Sequence, residues 1–165
     1  MAIIFVAVFT ACSGERDTKP TPTDAAPSDP VVDPCSASES CRELGECQQQ
    51  GSACVVGQTA HCAQATVCTK LGLCSKVGSE CKSTSNESCA NSNECMTKGR
   101  CSQQNGICVA LTDKDCASAL DDCERFGRCS AHEGRCIAKS DADCQNSAQC
   151  TESGHCTARD GACEQ

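Results

Sequence analysis

Cysteine spacing constrains this chain more than any other feature of its sequence. Twenty of the 21 cysteines fall into five groups of four, and the pattern C-x5-C-x5-C-x6-C-x7 recurs every 27 residues, with one extra residue in the fourth group. A period of this length indicates an array of similar supersecondary units. The sequence therefore predicts five tandem repeats, at 35–61, 62–88, 89–115, 116–143 and 144–165. The grouped cysteines are Cys35, Cys41, Cys47, Cys54, Cys62, Cys68, Cys74, Cys81, Cys89, Cys95, Cys101, Cys108, Cys116, Cys123, Cys129, Cys136, Cys144, Cys150, Cys156 and Cys163.

Composition explains why these cysteines are expected to be bonded to one another. The chain has no Trp, no Tyr and three Phe, so a repeat of this size cannot bury enough apolar surface to offset its conformational entropy. Two disulfides that close short loops would contribute about 5 to 6 kcal/mol per repeat on the chain-entropy model. Small cysteine-dense units of this kind belong to oxidising compartments.

Metal binding is the competing interpretation of so many cysteines. Zinc sites and thiolate clusters typically use C-x2-C or tighter pairs, whereas the grouped cysteines here are never closer than C-x5-C. His61, His132 and His155 stand at unrelated places in different repeats and do not complete a repeated ligand set. We therefore expect disulfides, with no metal site and no cofactor.

Two glycine positions recur with the cysteines, one before the third cysteine and one before the fourth. A glycine repeated at one place in every copy indicates a backbone with φ > 0, at a helix C-terminus or in a turn. The first set ends a predicted helix of about ten residues, which begins with capping signals such as Asp33-Pro34, Thr112 with Asp115, and Ser140 with Asp143. The second set predicts a hairpin-like loop. The two sets are Gly45, Gly72, Gly99, Gly127 and Gly154, and Gly51, Gly78, Gly106, Gly134 and Gly161.

The fold class that follows is a small disulfide-rich repeat protein, in which each unit has a short α-helix and a hairpin-like loop joined by two disulfides. A continuous helix would hold the first and second cysteines about 9 Å apart, too far for a disulfide. Two pairings within a repeat remain open: first to third with second to fourth, or first to fourth with second to third. Disulfides between repeats also remain open, although complete groups of four favour closure inside each repeat. The short connections between groups favour contact between neighbouring repeats. The extra residue between Cys116 and Cys123 requires an adjusted or interrupted helix in the fourth repeat.

Residues 1–34 predict export and anchoring. Ala2 to Ala11 form an uncharged apolar run that is too short to span a bilayer and has the length of a signal-peptide core. The following Phe9-Thr10-Ala11-Cys12 resembles the lipobox of bacterial lipoproteins. The resemblance implies a signal peptide at 1–11 and a diacylglycerol-modified, palmitate-bearing Cys12, and Ser13 after it implies sorting to the outer membrane. Residues 12–34 hold all five prolines and predict an extended linker.

The repeats carry D-x-D-C, C-x3-G-x-C and G-x-C elements, clearest from Asp141 to Cys163. They resemble the cysteine-rich repeats of uncharacterised lipoproteins from myxobacteria and related bacteria. That resemblance spans residues 35–165 and implies an envelope location without implying an activity.

The sequence points to a non-enzymatic envelope or cell-surface protein with a structural or protein-binding role. Its membrane contact would be the lipid at Cys12, and its other partner would be an unknown protein or envelope component. The net charge of −8 argues against nucleic acid as a partner. No set of residues resembles a catalytic site, and Asp121 and Asp122 are expected to form a solvated acidic surface.

Two alternatives stay open. Free thiols in the repeats would make the chain a metal or redox buffer. Basic residues in cross-linked loops, such as Lys76, Arg135 and Arg159, would suit a secreted protease inhibitor.

Overall fold

A computed structural model describes residues 33–165, which contain the five repeats. The predicted signal peptide, Cys12 and most of the linker lie outside these residues. Each repeat consists of a helical segment followed by a two-stranded antiparallel hairpin. The predicted fold class is thereby confirmed.

The helical segment of a repeat contains two short helices, and we call the one nearer the hairpin the second helix. The α-helices are α1 (Glu39–Leu44), α2 (Thr59–Gln64), α3 (Thr66–Leu71), α4 (Asn86–Ala90), α5 (Asn93–Lys98), α6 (Asp113–Cys116), α7 (Asp141–Gln145) and α8 (Ala148–Ser153), and a π-helix spans Leu120–Arg125. The second helices are therefore α1, α3, α5, the π-helix and α8. In the first repeat, turns at residues 34–37 replace the first helix, so α1 begins after Ser38 and not at the predicted Asp33-Pro34 cap.

The helical segment is not the continuous ten-residue helix predicted from sequence. Three residues after the first cysteine, a small residue takes an extended backbone and separates the two helices: Ser38, Ala65, Ser92, Ala119 or Ser147. Where this residue is serine, its Oγ accepts the amide of the second cysteine and donates to the carbonyl of the first, as Ser92 does with Cys95 at 3.2 Å and Cys89 at 2.7 Å. This capping bond starts the second helix in a new direction.

The strands pair within each repeat. They are β1 (Gln48–Gln50), β2 (Ala53–Val55), β3 (Ser75–Val77), β4 (Glu80–Lys82), β5 (Ser102–Gln104), β6 (Ile107–Val109), β7 (Ser130–His132), β8 (Arg135–Ile137), β9 (Thr157–Arg159) and β10 (Ala162–Glu164). Two residues connect the strands of each hairpin. In the last three repeats both loop residues have positive φ, as in Asn105-Gly106, which is a type I′ turn; the first two use Gly-Ser with positive φ at the glycine alone.

All twenty cysteines of the repeats form disulfides inside their own repeat, first to fourth and second to third. The first-to-fourth bonds join Cys35–Cys54, Cys62–Cys81, Cys89–Cys108, Cys116–Cys136 and Cys144–Cys163, with Cα atoms 5.4–5.6 Å apart. The second-to-third bonds join Cys41–Cys47, Cys68–Cys74, Cys95–Cys101, Cys123–Cys129 and Cys150–Cys156, with Cα atoms 4.4–4.6 Å apart. Every repeat therefore has the same disulfide pairing, first to fourth with second to third, which is one of the two that the sequence left open within a repeat.

The extra residue of the fourth repeat is absorbed by the π-helix. In the third repeat, Cys95 and Met96 both donate their amides to the carbonyl of Ser92. In the fourth, the equivalent Cys123 and Glu124 donate to the equivalent Ala119, one residue further away in sequence, at 2.9 and 3.1 Å. The additional residue thus widens one turn, as π-bulges do, and the cysteine keeps its place.

Cysteines and small residues form the interior of the array. The first cysteine of repeats two to five has an exposure of 0%. Ala110 and Ala138 come two residues after the fourth cysteine of the third and fourth repeats. Each packs on the first-to-fourth disulfide of the following repeat. Disulfide sulfur therefore fills the space that leucine or phenylalanine fills in a larger domain.

Candidate interaction surface

Neighbouring repeats meet at a junction that the chain builds four times. We call Gly45, Gly72, Gly99, Gly127 and Gly154 the capping glycines; each follows a second helix with φ between 65° and 78°. At Gly99, a Cβ would lie 2.6 Å from the Asp115 carbonyl oxygen and 2.7 Å from Cys136 Sγ of the next repeat. The glycine is therefore required by its backbone conformation and by the close approach of the following disulfide.

At two of the four junctions the residue before the capping glycine contributes its carbonyl as well. Cys81 Sγ lies 3.1 Å from the carbonyl oxygen of Leu44, and Cys136 Sγ lies 3.3 Å from that of Lys98. A half-cystine has no hydrogen to donate, so these are close sulfur–oxygen contacts and not hydrogen bonds. They place the second helix of one repeat directly over the first-to-fourth disulfide of the next.

The two aspartates of the D-x-D-C element have separate tasks. Asp141 Oδ1 accepts the amide of Ala158 at 2.8 Å and so fixes α7 to the hairpin strand β9 that follows it. Asp143 Oδ2 accepts the amide of Ser140 at 3.0 Å, as its predicted capping role requires, and the hydroxyl of Ser130 in the preceding hairpin at 3.2 Å. The element therefore serves folding and repeat stacking.

One pair of positions, directly before the second and before the third cysteine, changes its chemistry from repeat to repeat. It is apolar in the second repeat, acidic and basic in the third and fourth, and polar in the fifth. The pairs are Val67 with Leu73, Glu94 with Arg100, Asp122 with Arg128, and Gln149 with His155. The framework thus accepts different side chains without a change in disulfide geometry.

The two acid–base pairs differ in their electrostatics. Partial burial acts to raise the pKa of Glu94, but hydrogen bonds and charge from Lys98 and Arg100 outweigh it, so this pKa lies below its ordinary value. Burial raises the pKa of Asp122 above its ordinary value, because the opposing effect of Arg128 is smaller. The Arg100–Glu94 pair is correspondingly shorter, at 2.6 Å against 3.4 Å for Arg128–Asp122.

The second helices form a continuous row across the array. The helix α1 packs on α3, α3 on α5, α5 on the π-helix, and the π-helix on α8. The three residues before each capping glycine lie on the outside of this row and are mostly exposed. We call them the helical face: Arg42-Glu43-Leu44, Thr69-Lys70-Leu71, Met96-Thr97-Lys98, Glu124-Arg125-Phe126 and Thr151-Glu152-Ser153.

The ring of Phe126 gives the helical face its one aromatic side chain within residues 33–165. The guanidinium carbons of Arg125 and Arg128 lie 5.2 and 5.3 Å from its ring centroid, within the range of cation–π attraction. This arrangement was not predicted from the sequence, because it depends on how the three side chains approach one another in space.

The junction between the first two repeats is more open than the others. At the later junctions a backbone amide after one hairpin donates to the loop glycine of the next, as Ala110 does to Gly134 at 3.0 Å. Among the described residues no such bond joins the equivalent Val56 and Ser79, and Lys76 Nζ instead donates to the Gly57 carbonyl at 2.9 Å.

Two grooves flank this first junction. One is largely apolar, with a volume of about 210 Å³, and is lined by Leu44, Val56, Val67 and Leu73. The other, of about 430 Å³, lies between the first two hairpins. Both are wide open to solvent, unlike the enclosed pockets that hold small substrates.

The residues singled out from sequence are dispersed in the structure. His61 lies beside Gln58, His132 lies 3.8 Å from Glu133, and His155 belongs to the fifth repeat. Over residues 33–165, no group of three or more His, Cys, Asp or Glu side chains is placed to hold a metal ion. In the same part of the chain no helix has the length and apolarity needed to cross a membrane.

The basic and acidic candidates are also part of regular structure. Lys76, Arg135 and Arg159 lie in hairpin strands, and Arg159 Nε is 3.8 Å from Glu164. The predicted solvated surface at Asp121 and Asp122 is wrong in part, because both carboxylates are half-buried in the π-helix.

Comparison of the chain with protein-family models, with curated proteins and with solved structures gives no match.

Proposed function

We propose that this chain is a lipid-anchored protein of the bacterial envelope or cell surface, with a structural or protein-binding role and no catalysis. The helical face is the observation that carries the proposal. It presents residues that differ from repeat to repeat on a framework whose disulfides and capping glycines do not differ. This separation of a constant interior from a varied surface is typical of repeat proteins that bind other proteins.

The anchor in this proposal is a diacylglycerol-modified Cys12, which accounts for the one cysteine outside the repeats. Residues 12–34 would then connect the lipid to the first repeat. An extended linker of this length reaches roughly 70 Å, at about 3.1 Å per residue. The repeats would stand away from the outer membrane and keep their helical face free for a partner.

The intact mass of the protein extracted from its native membrane tests the anchor. Thiols are alkylated before and after reduction. We expect a chain that begins at Cys12, carries added acyl mass and takes up no alkyl groups before reduction. A chain without lipid would refute the anchor, and repeat thiols that alkylate without reduction would favour a metal or redox buffer instead.

Site-directed photo-crosslinking in the native host tests the binding surface. A crosslinking residue replaces Lys70, which is exposed on the helical face, and a matched variant carries it at the exposed hairpin residue Gln104. We expect a specific protein adduct from position 70 that is absent from position 104. Equal adducts from both positions would refute a role for the helical face.

Neither alternative gains support from the geometry. All twenty repeat cysteines are paired, whereas a thiol buffer needs free thiolates. A protease inhibitor of the expected kind needs a basic residue on a projecting loop, and the hairpin loops here contain two residues each, with the basic residues in the strands.

A further inference from the structure

The repeat junction has two halves that are built from different parts of a repeat. The upper half consists of a capping glycine and the carbonyl before it. The lower half consists of the fourth cysteine of the next repeat and the carbonyl that precedes its first cysteine. At Gly127, for example, a Cβ would lie 2.6 Å from Cys163 Sγ and 2.9 Å from the Asp143 carbonyl oxygen. Each inner repeat uses both of its halves.

The upper half of the fifth repeat is complete but unoccupied by the described residues. Gly154 has φ 73° and donates its amide to the Cys150 carbonyl at 2.9 Å, as the other capping glycines do in their repeats. The four preceding capping glycines are buried, whereas Gly154 is exposed and nothing lies within 4 Å of its Cβ position. The carbonyl before it, of Ser153, carries one exposed hydrogen bond from Gln165 Nε2 at 3.2 Å.

The lower half of the first repeat is exposed in the same way. Pro34, which directly precedes the first cysteine as His61, Ser88 and Asp115 do in later repeats, is exposed, and those three residues are half-buried. Cys54 is half-buried, as Cys81 is at the more open first junction, whereas the equivalents in the last three repeats have exposures of 4–8%. The two ends of the array therefore offer matching halves of one junction.

We propose that the fifth repeat of one molecule docks on the first repeat of a second copy and forms a fifth junction of the same kind. The contact is head-to-tail, so it leaves the other half free on each molecule and extends into open chains or larger closed rings, and not into two-fold symmetric dimers. In this contact Gly154 packs on the Cys35–Cys54 disulfide of the second copy. The Ser153 carbonyl then contacts Cys54 Sγ of that copy and no longer accepts the hydrogen bond from Gln165.

Side chains at the ends are compatible with this contact. At the inner junction of the third and fourth repeats, Lys98 and Arg100 lie close enough to Asp122 to influence its pKa. At the new contact Ser153 and His155 of one copy take the positions of Lys98 and Arg100, and Ser40 of the second copy takes the position of Asp122. These side chains bring no like charges together. The contact is a single junction, so its association is weak and depends on concentration.

Sedimentation velocity of the oxidised full chain over a wide concentration range tests the proposal. We expect the mean mass to rise with concentration beyond that of a dimer. Gly154→Ala should abolish this rise, because its Cβ would stand where inner junctions bring sulfur and oxygen within 3.0 Å. Gly78→Ala is the matched control, since Gly78 also has positive φ and nothing within 4 Å of its Cβ position, yet lies on a hairpin loop of an inner repeat.

Crosslinking between isotopically heavy and light chains locates the contact. A photo-crosslinking residue at Ser153 should join heavy to light chains at residues between Pro34 and Cys54. A mass that stays monomeric at every concentration, mixed-isotope crosslinks that map elsewhere, or equal effects of the two glycine variants would each overturn the proposal. Circular dichroism of both variants verifies that the repeats remain folded.

Discussion

Replacement of Gly99 by alanine tests the central claim that a capping glycine is needed for repeat stacking as well as for its own backbone. An alanine in the left-handed region costs about 1–2 kcal/mol anywhere. At Gly99 its Cβ would also lie within 2.9 Å of three atoms at the junction with the next repeat, the Asp115 oxygen, Cys136 Sγ and Cys116 Cα. Overpacking of this kind adds about 1–3 kcal/mol.

The matched variant is Gly154→Ala, in which φ is similar and no neighbour approaches. We expect Gly99→Ala to lower the free energy of unfolding by about 2–5 kcal/mol, from the sum of the two costs, and Gly154→Ala by about 1–2 kcal/mol. The difference isolates the junction, because the backbone strain is common to both variants.

Hydrogen exchange is the suitable assay, since a chain without Trp or Tyr offers little fluorescence. The Ala110 amide, which donates to Gly134 across the junction of the third and fourth repeats, reports local opening there. Gly99→Ala should lower its protection by roughly 5- to 150-fold, the equivalent of 1–3 kcal/mol, and Gly154→Ala should leave it unchanged. Equal loss of protection in both variants would refute the packing argument.

Three further predictions follow from the junctions and pairs. Glu94→Gln should destabilise the protein at neutral pH by about 1 kcal/mol. The loss should shrink as the pH falls through the lowered pKa of Glu94, because a lowered carboxyl pKa stabilises the folded state only at pH values above it. Asp122→Asn should not destabilise the protein at neutral pH, because a raised carboxyl pKa stabilises the folded state only at pH values below it, and thermal unfolding at neutral and at acidic pH measures both variants. The second-to-third disulfides join half-buried cysteines, whereas every first-to-fourth disulfide includes a buried cysteine, so the second-to-third bonds should be reduced first. Mass spectrometry of stepwise alkylated protein measures the order, and the reverse order would contradict the buried interior. Gly78→Asn with Ser79→Gly should convert the second hairpin loop to type I′ and allow the Val56 amide to donate to the carbonyl of residue 79, as at the later junctions. Hydrogen exchange at Val56 should then slow, and unchanged exchange would show that loop type does not control this hydrogen bond.

Much of the local structure could be read from the sequence because the same signal recurs five times. Glycine at fixed places before the third and fourth cysteines correctly predicted helix ends and turns with positive φ. The Thr112 and Asp115 capping box is also confirmed. Each of these features depends on a few neighbouring residues, and such local preferences can be recognised without knowledge of distant contacts.

The break inside the helical segment was missed, although a serine or alanine three residues after every first cysteine could have indicated it. Serine and alanine are both compatible with a helix, so propensity alone does not distinguish a helical residue from one that caps the next helix. The buried hydroxyl of Ser92 decides between them, because it satisfies two backbone groups only when the chain turns there.

The sequence by itself determined the number of repeats, the even set of four cysteines in each, and the places where glycine is obligatory, because all three follow from spacing and backbone sterics. The tertiary structure alone decided which cysteines pair, how the fourth repeat accepts its extra residue, and that the first four capping glycines lie on the next repeat's disulfide. Those features depend on how the backbone turns and on which atoms approach in space, such as Gly99 and Cys136 Sγ, and spacing along the chain specifies neither.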